Sequence, residues 1–534
     1  MKKVDYFIVL LLVVFLLLRL PLLFTSEKSL EGDSASIAVM AMNTFRHGEF
    51  HYFIYGEPYV GAAALNAYLA IVPFSLFGVS DISFKLLSVM FALASAAVTF
   101  LFVKKYFGKR AGYLAAIIMA ITPFFFTRLS VLGMSGYMET LTYLILLTWL
   151  FYIIFLEERN QARNMALFGI IAGIAWWISE YVIAFLLFFV FFWYLMDKRF
   201  FTRKLFWIFV ASILVALSPL IYYNLTHNFD NIRHFLAGTV VHKFACDNGL
   251  FPEAVAYQGR QIDPCAIFKE EIHGTFTLSG FFTETLLQIF GNWPYYLLAV
   301  SLMALIIYYN RNSIIPAIKS LIPLSKYNLD IKKHGKELFI LCFFTFWFFI
   351  YLASGRSDPK HFSPIFPFVA ILLAIAISRL KNFIISLLVL TALLTSAVIP
   401  NMQAIFMDDK QDISPLMEFY RANGLYYLYT DHPTKWQILF YGNEQIIASC
   451  NICPCVNQYP KIEEKMMNTK DTAYTFALGS TISEKLMEHL NKSSIQYDTA
   501  VIGRKIVVYN MSSAIDPLVL APCNWLDEQK PRMD

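Results

Sequence analysis

Apolar runs of about 20 residues recur along the chain, and this is the length at which one helix crosses a bilayer. The first is residues 4–24 and the last is residues 383–400. Hydrophobic residues make up 58% of the sequence, whereas soluble domains contain about 45–50% apolar residues even when glycine is counted. The runs predict a mainly α, polytopic protein that is integral to the plasma membrane.

Basic residues orient these runs, because cytoplasmic loops are enriched in lysine and arginine. Lys2 and Lys3 precede the first run, and a basic patch at 104–110 ends the run 84–103. If both runs span and both basic ends are cytoplasmic, the apolar stretch between them, 60–79, cannot be a further span.

We therefore expect residues 25–83 to form one large outer loop, with helices lying at the membrane interface. The same alternation continued to residue 400 gives about 11 transmembrane helices and a cytoplasmic N-terminus. The predicted domains are a transmembrane domain, residues 1–400, and an extracytoplasmic domain, residues 401–534.

The segment 401–534 alternates short strand patterns with helical ones, which is typical of a small α/β domain. It contains no glycine-rich phosphate-binding signature, so we expect a lid or a stabilising domain. Membrane lipids are expected partners of the whole chain, and nucleic acid is not.

Six of the seven cysteines fall in segments predicted to lie outside, where disulfides form. We expect a Cys246–Cys265 disulfide, which would close the loop 224–285, and at least one disulfide in the tail. The motif CNICPC, 450–455, resembles a metal knuckle. It lacks a second pair of cysteines or histidines at zinc spacing, so disulfides are favoured there.

The stretch LEGDSASIAVMAMNTFRHGEF, 30–50, follows the first apolar run and carries two carboxylates at its start. Acidic groups are costly beside lipid, which favours a functional role for Asp33. A helix N-cap is the alternative for Asp33, since aspartate is a preferred cap. Glu31 is expected to be a solvated neighbour.

A second candidate is Glu139, at the outer end of the run 138–156. The charge pattern puts it on the same face as Asp33, and an acidic group inside an apolar run favours function. Pairing with Arg128 is the structural alternative. Glu180 has a similar position and is expected to be structural or to line a substrate site.

The third cluster is SGRSDPKHFSPIFP, 354–367, which holds Arg356, Lys360 and His361. Basic groups at a membrane surface bind phosphate headgroups, and arginine does so with two parallel hydrogen bonds. Anchoring of a span end is the alternative. Cations on the predicted outer face run against the positive-inside rule, which favours a phosphate site.

Taken together, these motifs resemble the GT-C superfamily of membrane glycosyltransferases. The similarity is to glycosyltransferase family 39, the dolichyl-phosphate-mannose protein mannosyltransferases, and to the lipid A aminoarabinose transferases. It rests on motifs in the order that these families have: GD and HGEF after the first run, GEPYVGAAALNAYLA, RLSVLGMSGYMETL and PKHFSPIFP.

The resemblance implies a hexosyl- or pentosyltransferase that uses a polyprenyl-phosphate sugar donor and a protein, lipid or glycan acceptor. It implies that Asp33 is the catalytic base or a group that orients the acceptor, and that Glu139 is the second acidic residue. It also implies that Arg356, Lys360 and His361 hold the donor phosphate. Direct attack would invert the anomeric centre. A divalent metal shared by one aspartate and one glutamate stays open, although no DxD motif is present.

The sequence also departs from these families. Ser34 follows Asp33 where many relatives have a second acidic residue, and Glu57 stands where aminoarabinose-type relatives have lysine. Trp176 and Trp177 are followed by ISEY, which argues against transfer of a whole oligosaccharide to asparagine.

Two other classes remain open: a transporter or flippase of lipid-linked sugars, and a membrane scaffold with a binding tail. Transporters place charged groups at the midplane and contain internal repeats. The charged clusters of this sequence stand at the ends of apolar runs, and we find no repeat.

Overall fold

The structure is a computed structural model, and the statements below concern the residues that it describes. These are 6–55, 61–229, 231–232, 255–257, 260–262, 300–301, 304, 336–354, 359–407, 409, 412–450, 459–467, 469, 471–515 and 520. Arg356, Cys246 and Cys265 lie outside them, so the expectations for these three residues stay predictions.

Most of the described chain is helical, as predicted. The α-helices are Tyr6–Leu17, Gly32–His47, Gly61–Leu69, Ile71–Phe77, Asp81–Phe107, Lys109–Ala120, Phe124–Leu129, Met138–Phe155, Gln161–Ile178, Tyr181–Met196, Lys204–Ala216, Ser218–Thr226, Glu337–Ser354, Phe366–Arg379, Phe383–Ile405, Ser414–Ala422, His432–Tyr441, Pro460–Met467 and Thr481–Lys492. Short 3₁₀ helices occupy Leu20–Phe24, Phe200–Thr202 and Pro359–Ile365.

Within the described residues, four helical segments are long and apolar enough to cross a membrane: Tyr6–Phe24, Asp81–Phe107, Met138–Phe155 and Phe383–Ile405. The bent pair Lys204–Ala216 and Ser218–Thr226 would be a fifth. Other predicted runs coincide with shorter apolar helices. The protein is thus an integral membrane protein by composition and helix length, and the count of about 11 spans stays a prediction.

The apolar stretch 60–79 forms two short helices, Gly61–Leu69 and Ile71–Phe77, instead of one span-length helix. Pro73 lies in the first turn of the second helix, where a missing N–H breaks no helical hydrogen bond. Exposed Val72, Leu76 and Phe77 give that helix an apolar outer surface. The placement of this stretch in an outer loop stays a prediction.

The C-terminal segment folds around a mixed five-stranded sheet, which confirms the predicted small sheet domain. The strands are β3 (Tyr427–Thr430), β4 (Ile447–Ser449), β5 (Ala473–Ala477), β6 (Asp498–Ile502) and β7 (Lys505–Tyr509), after a separate hairpin of β1 (Val255–Tyr257) and β2 (Arg260–Ile262). Their order is β4-β3-β5-β7-β6, parallel from β4 to β5 and antiparallel from β5 to β6. Cys450, just after β4, is disulfide-bonded, and Cys342 is free.

Asp431 joins this sheet to the helix His432–Tyr441. Its side chain caps the helix by accepting a hydrogen bond from the Thr434 N–H at 2.9 Å, and it pairs with Lys505 at 2.6 Å. Burial acts to raise the pKa of Asp431, but the charge of Lys505 and the cap bonds outweigh it and lower that pKa. The ionised carboxylate therefore stabilises the folded domain.

We expect Asp431→Ala to lower the free energy of unfolding of the C-terminal domain by about 1 kcal/mol at pH 7, the typical cost of losing an N-cap. A lowered pKa gives stability above the ordinary aspartate pKa of about 3.9 and loses it as the pH falls through the folded value. The deficit should therefore be constant from neutral pH to about 5 and narrow below about 4. Thermal unfolding across this pH range measures it, and a deficit independent of pH would contradict the role of the charge.

Candidate functional site

Asp33 is the second residue of the helix Gly32–His47, and its side chain is exposed. Glu31 occupies the N-cap position, so the capping alternative for Asp33 is wrong. The Asp33 carboxylate makes no hydrogen bond or ion pair with the residues that the structure describes. A negative charge in the first turn is stabilised by the positive end of the helix dipole. Asp33 is thus an exposed ionisable group without a partner among the described residues.

Arg128 fixes the chain just before Asp33. Its Nε donates to Glu27 at 2.6 Å and its terminal nitrogen donates to Glu31 at 2.7 Å. Burial raises the pKa of Glu27, although Arg128 opposes this rise. Two expectations are corrected: Glu31 is ion-paired instead of solvated, and Arg128 pairs with the first loop instead of with Glu139.

Lys85 is the residue of this region that sequence reasoning missed. It is fully buried near the start of the helix Asp81–Phe107. Its ammonium group donates to the carbonyl oxygens of Glu27, Lys28 and Ser29 at 2.7, 2.9 and 3.1 Å, which uses all three donors. A lone lysine within an apolar run was the available signal, since such residues face a bundle interior.

Glu139 is fully buried at the start of the helix Met138–Phe155. One carboxylate oxygen accepts from Asn66 Nδ2 at 2.7 Å and the other from the Gly136 N–H at 3.0 Å. Gly136 has a φ of +89°, a left-handed conformation that favours glycine. Glu139 makes no ion pair with the described residues, so hydrogen bonds alone hold this buried carboxyl group.

The helix Gly61–Leu69 connects the two acidic residues. It packs against the helix Gly32–His47 on one side and presents Asn66 to Glu139 on the other. Asp33 and Glu139 therefore lie on two helices that both contact the helix Gly61–Leu69.

The short helix Pro359–Ile365 carries Lys360 and His361 and packs against the helix Met138–Phe155 that begins beside Glu139. The His361 ring nitrogen contacts the Tyr181 hydroxyl group, and Ser363 Oγ donates to the Lys360 carbonyl at 2.7 Å. Lys360 and His361 thus lie on a short helix that contacts the helix of Glu139.

The C-terminal domain packs directly on the first loop. Lys28 pairs with Asp412 at 2.8 Å, and the Ser29 N–H donates to Asp409 at 2.6 Å. Asn43 donates to the Tyr459 hydroxyl at 2.8 Å. The loop before Asp33 and the C-terminal domain are therefore in direct contact.

The described residues contain no group of three or more histidine, cysteine or acidic residues close enough to hold a metal. Both oxygens of Glu139 already accept hydrogen bonds. Among the described residues Asp33 and Glu139 do not belong to such a group, and we derive no step through a metal. Glu180 is the exposed N-cap residue of the helix Tyr181–Met196, and its side chain makes no capping hydrogen bond. Its expected role stays a prediction.

Residues 62–223 match the family model of dolichyl-phosphate-mannose-protein mannosyltransferase. This segment includes Lys85, Arg128 and Glu139 but not Asp33. No protein with a curated record matches the chain significantly in sequence.

Two solved structures of the oligosaccharyltransferase of Archaeoglobus fulgidus are similar. The complex with Zn and sulfate has a TM-score of 0.53 and 14% identity, over 95% of this chain and 73% of that chain. The enzyme, AglB, with an inhibitory peptide and a dolichol-phosphate has a TM-score of 0.52 and 12% identity, over 88% and 69%. ArnT from Cupriavidus metallidurans, bound to undecaprenyl phosphate, has a TM-score of 0.47 and 14% identity, over 95% and 98%.

The chain is thus similar to GT-C membrane glycosyltransferases in fold, which confirms the predicted resemblance. Within that class, its segment 62–223 is similar in sequence to the dolichyl-phosphate-mannose-protein mannosyltransferases.

Proposed function

We propose that this protein transfers a sugar from a polyprenyl-phosphate carrier to an acceptor hydroxyl group at the outer face of the membrane. The observation that carries the proposal is the state of Asp33. Its carboxylate is exposed and without a partner among the described residues, yet the chain before it is fixed by buried contacts. A mobile surface carboxylate would need no such framework.

In this reaction Asp33 takes the proton of the acceptor hydroxyl group as its oxygen attacks the anomeric carbon. The bond from that carbon to the phosphate oxygen breaks, the carrier phosphate leaves with the bonding electrons, and the anomeric centre inverts. Lys360, His361 and Arg356 offset the negative charge that develops on the leaving phosphate. Glu139 is the second acidic residue, and its bonds to Asn66 and Gly136 support a role in shaping the site.

A protein hydroxyl group is the acceptor that the family match favours. The structure of AglB with a dolichol-phosphate and an inhibitory peptide supports a lipid-linked donor and a peptide-binding site for this fold. Lipid and glycan acceptors are the alternatives that an acceptor assay separates.

The test uses the purified full chain in liposomes with a radiolabelled polyprenyl-phosphate hexose and a serine- and threonine-containing peptide. A transferase releases polyprenyl phosphate and labels the acceptor. A flippase moves the intact lipid between leaflets and releases no polyprenyl phosphate. Movement without release would reject the proposal in favour of the transporter.

Lys360→Ala should raise the donor KM and lower kcat, so that kcat/KM for the donor falls at least tenfold. Removing one charge from a partly buried charge pair costs about 2 kcal/mol or more, and tenfold corresponds to about 1.4 kcal/mol. The matched control is Lys381→Ala, an exposed lysine beyond the other end of the helix Phe366–Arg379. Equal kcat/KM values for the donor in the two variants would favour the alternative, in which Lys360 anchors the end of a membrane span.

A further inference from the structure

The helix His432–Tyr441 of the C-terminal domain holds both backbone groups of Leu30, three residues before Asp33. The Leu30 N–H donates to the Tyr441 hydroxyl at 2.9 Å, and the Leu30 carbonyl accepts from Gln437 Nε2 at 2.6 Å. Gln437 and Tyr441 are four residues apart, so they lie on the same face of that helix. Leu30 is fully buried between them and the first loop.

The same helix also touches the first residue of the helix that carries Asp33. A Cβ added to Gly32 would lie 2.5 Å from Pro433 Cα, closer than real Cβ contacts allow. Only glycine permits this approach of the two helix N-termini. The position of Gly32, and with it the start of the Asp33 helix, is therefore set by the C-terminal domain.

Tyr441 extends the contact to the membrane-spanning part. Its hydroxyl group donates to Asp81 at 3.1 Å, at the start of the helix that carries Lys85. Because the Tyr441 oxygen accepts from Leu30 and donates to Asp81, one atom joins the first loop, the C-terminal domain and the spanning helix. Lys85, on the same spanning helix, donates hydrogen bonds to the carbonyl oxygens of residues 27–29, just before Leu30.

We propose that Gln437 and Tyr441 are positioning residues for Asp33, so that the C-terminal domain completes the active site instead of only covering it. This role rests on the glycosyltransferase function proposed above. General-base catalysis needs the carboxylate within hydrogen-bond reach of the acceptor hydroxyl, about 2.6–3.2 Å. A shift of about 1 Å can cost about 10²-fold in rate. This role does not require Gln437 or Tyr441 to contact the substrate.

The test compares Tyr441→Phe and Gln437→Met with Tyr420→Phe. Tyr420 lies in the same domain and donates one buried hydrogen bond to Thr475 at 2.7 Å, away from the first loop. We expect Tyr441→Phe and Gln437→Met to lower kcat about 10- to 10²-fold with little change in donor KM, while Tyr420→Phe keeps kcat. In an Asp33→Asn background, Tyr441→Phe should cause no further loss, because both changes act through one group.

Hydrogen exchange provides a readout that needs no turnover. Amide exchange of peptides covering 28–36 should rise in Tyr441→Phe, where the Leu30 N–H loses its acceptor, and stay unchanged in Tyr420→Phe. The positioning role is overturned if Tyr441→Phe and Gln437→Met both leave amide exchange and kcat unchanged while Asp33→Asn inactivates the protein. The proposed function would then remain intact. A wild-type protein without transferase activity would instead overturn the proposed function. The exchange experiment would still decide whether Gln437 and Tyr441 hold the segment around Leu30 in place.

Discussion

Asp33→Asn should reduce turnover about 10²- to 10⁴-fold, the contribution of a general base, while donor binding survives. Asparagine has nearly the shape of aspartate but cannot accept the proton. The structure makes this variant a clean test, because Asp33 is not the N-cap and its side chain holds no described residue in place. The fold should therefore tolerate the change. Turnover and donor affinity are measured in matched liposomes.

Asp33→Ala serves as the harsher control and should lose as much turnover as Asp33→Asn. Near-normal turnover in Asp33→Asn would remove this residue from the mechanism and, with it, the main reason to prefer a transferase over a flippase.

The largest effect on stability is expected for Lys435→Met, in the core of the C-terminal domain. Lys435 and Glu463 form an ion pair at 2.8 Å, with side chains only 1% and 3% exposed. Removing the lysine leaves the glutamate buried without its counter-charge, and breaking a buried pair costs about 3–5 kcal/mol. We expect the C-terminal domain to unfold at lower temperature than in the wild type and before the membrane-spanning bundle.

The double variant Lys435→Met/Glu463→Leu should recover much of this loss, because well-packed apolar residues often replace a buried ion pair without cost. The surface control is Lys492→Met, whose pair with Glu488 is 74% and 63% exposed and should contribute nothing measurable. Equal melting temperatures for Lys435→Met and Lys492→Met would contradict the buried pair.

Local sequence patterns predicted many of the helices and the C-terminal sheet domain. The apolar runs 84–103 and 138–156 are helical in the structure. The segment after residue 401, in which strand and helix patterns alternate, forms the sheet domain. Run 111–127 instead divides into Lys109–Ala120 and Phe124–Leu129, because Pro123 disfavours helical conformation in the residue before it. The number of spans depends on such breaks, which length and hydropathy alone do not determine.

The contacts that hold residues 27–31 in front of Asp33 could not be predicted from the sequence, because they join positions that are far apart in the chain. Proximity in sequence suggested Arg128 as the partner of Glu139, but Arg128 pairs with Glu27, 101 positions away. Lys85 and Gln437 bind backbone carbonyl groups, which every residue has, so no side-chain pattern could identify their targets. The candidate base was predictable, and the residues that hold it were not.

The bonds at Leu30 have a consequence for the timing of synthesis. Leu30 and Tyr441 are 411 positions apart, and chains are made N-terminus first at about 5–20 residues per second. The carboxylate of Asp33 is therefore made roughly 20–80 s before the helix that fixes the loop in front of it. During that interval the nascent chain carries Asp33 without the contact between Leu30 and the C-terminal domain. A ribosome that stops before residue 432 releases a product that never acquires it.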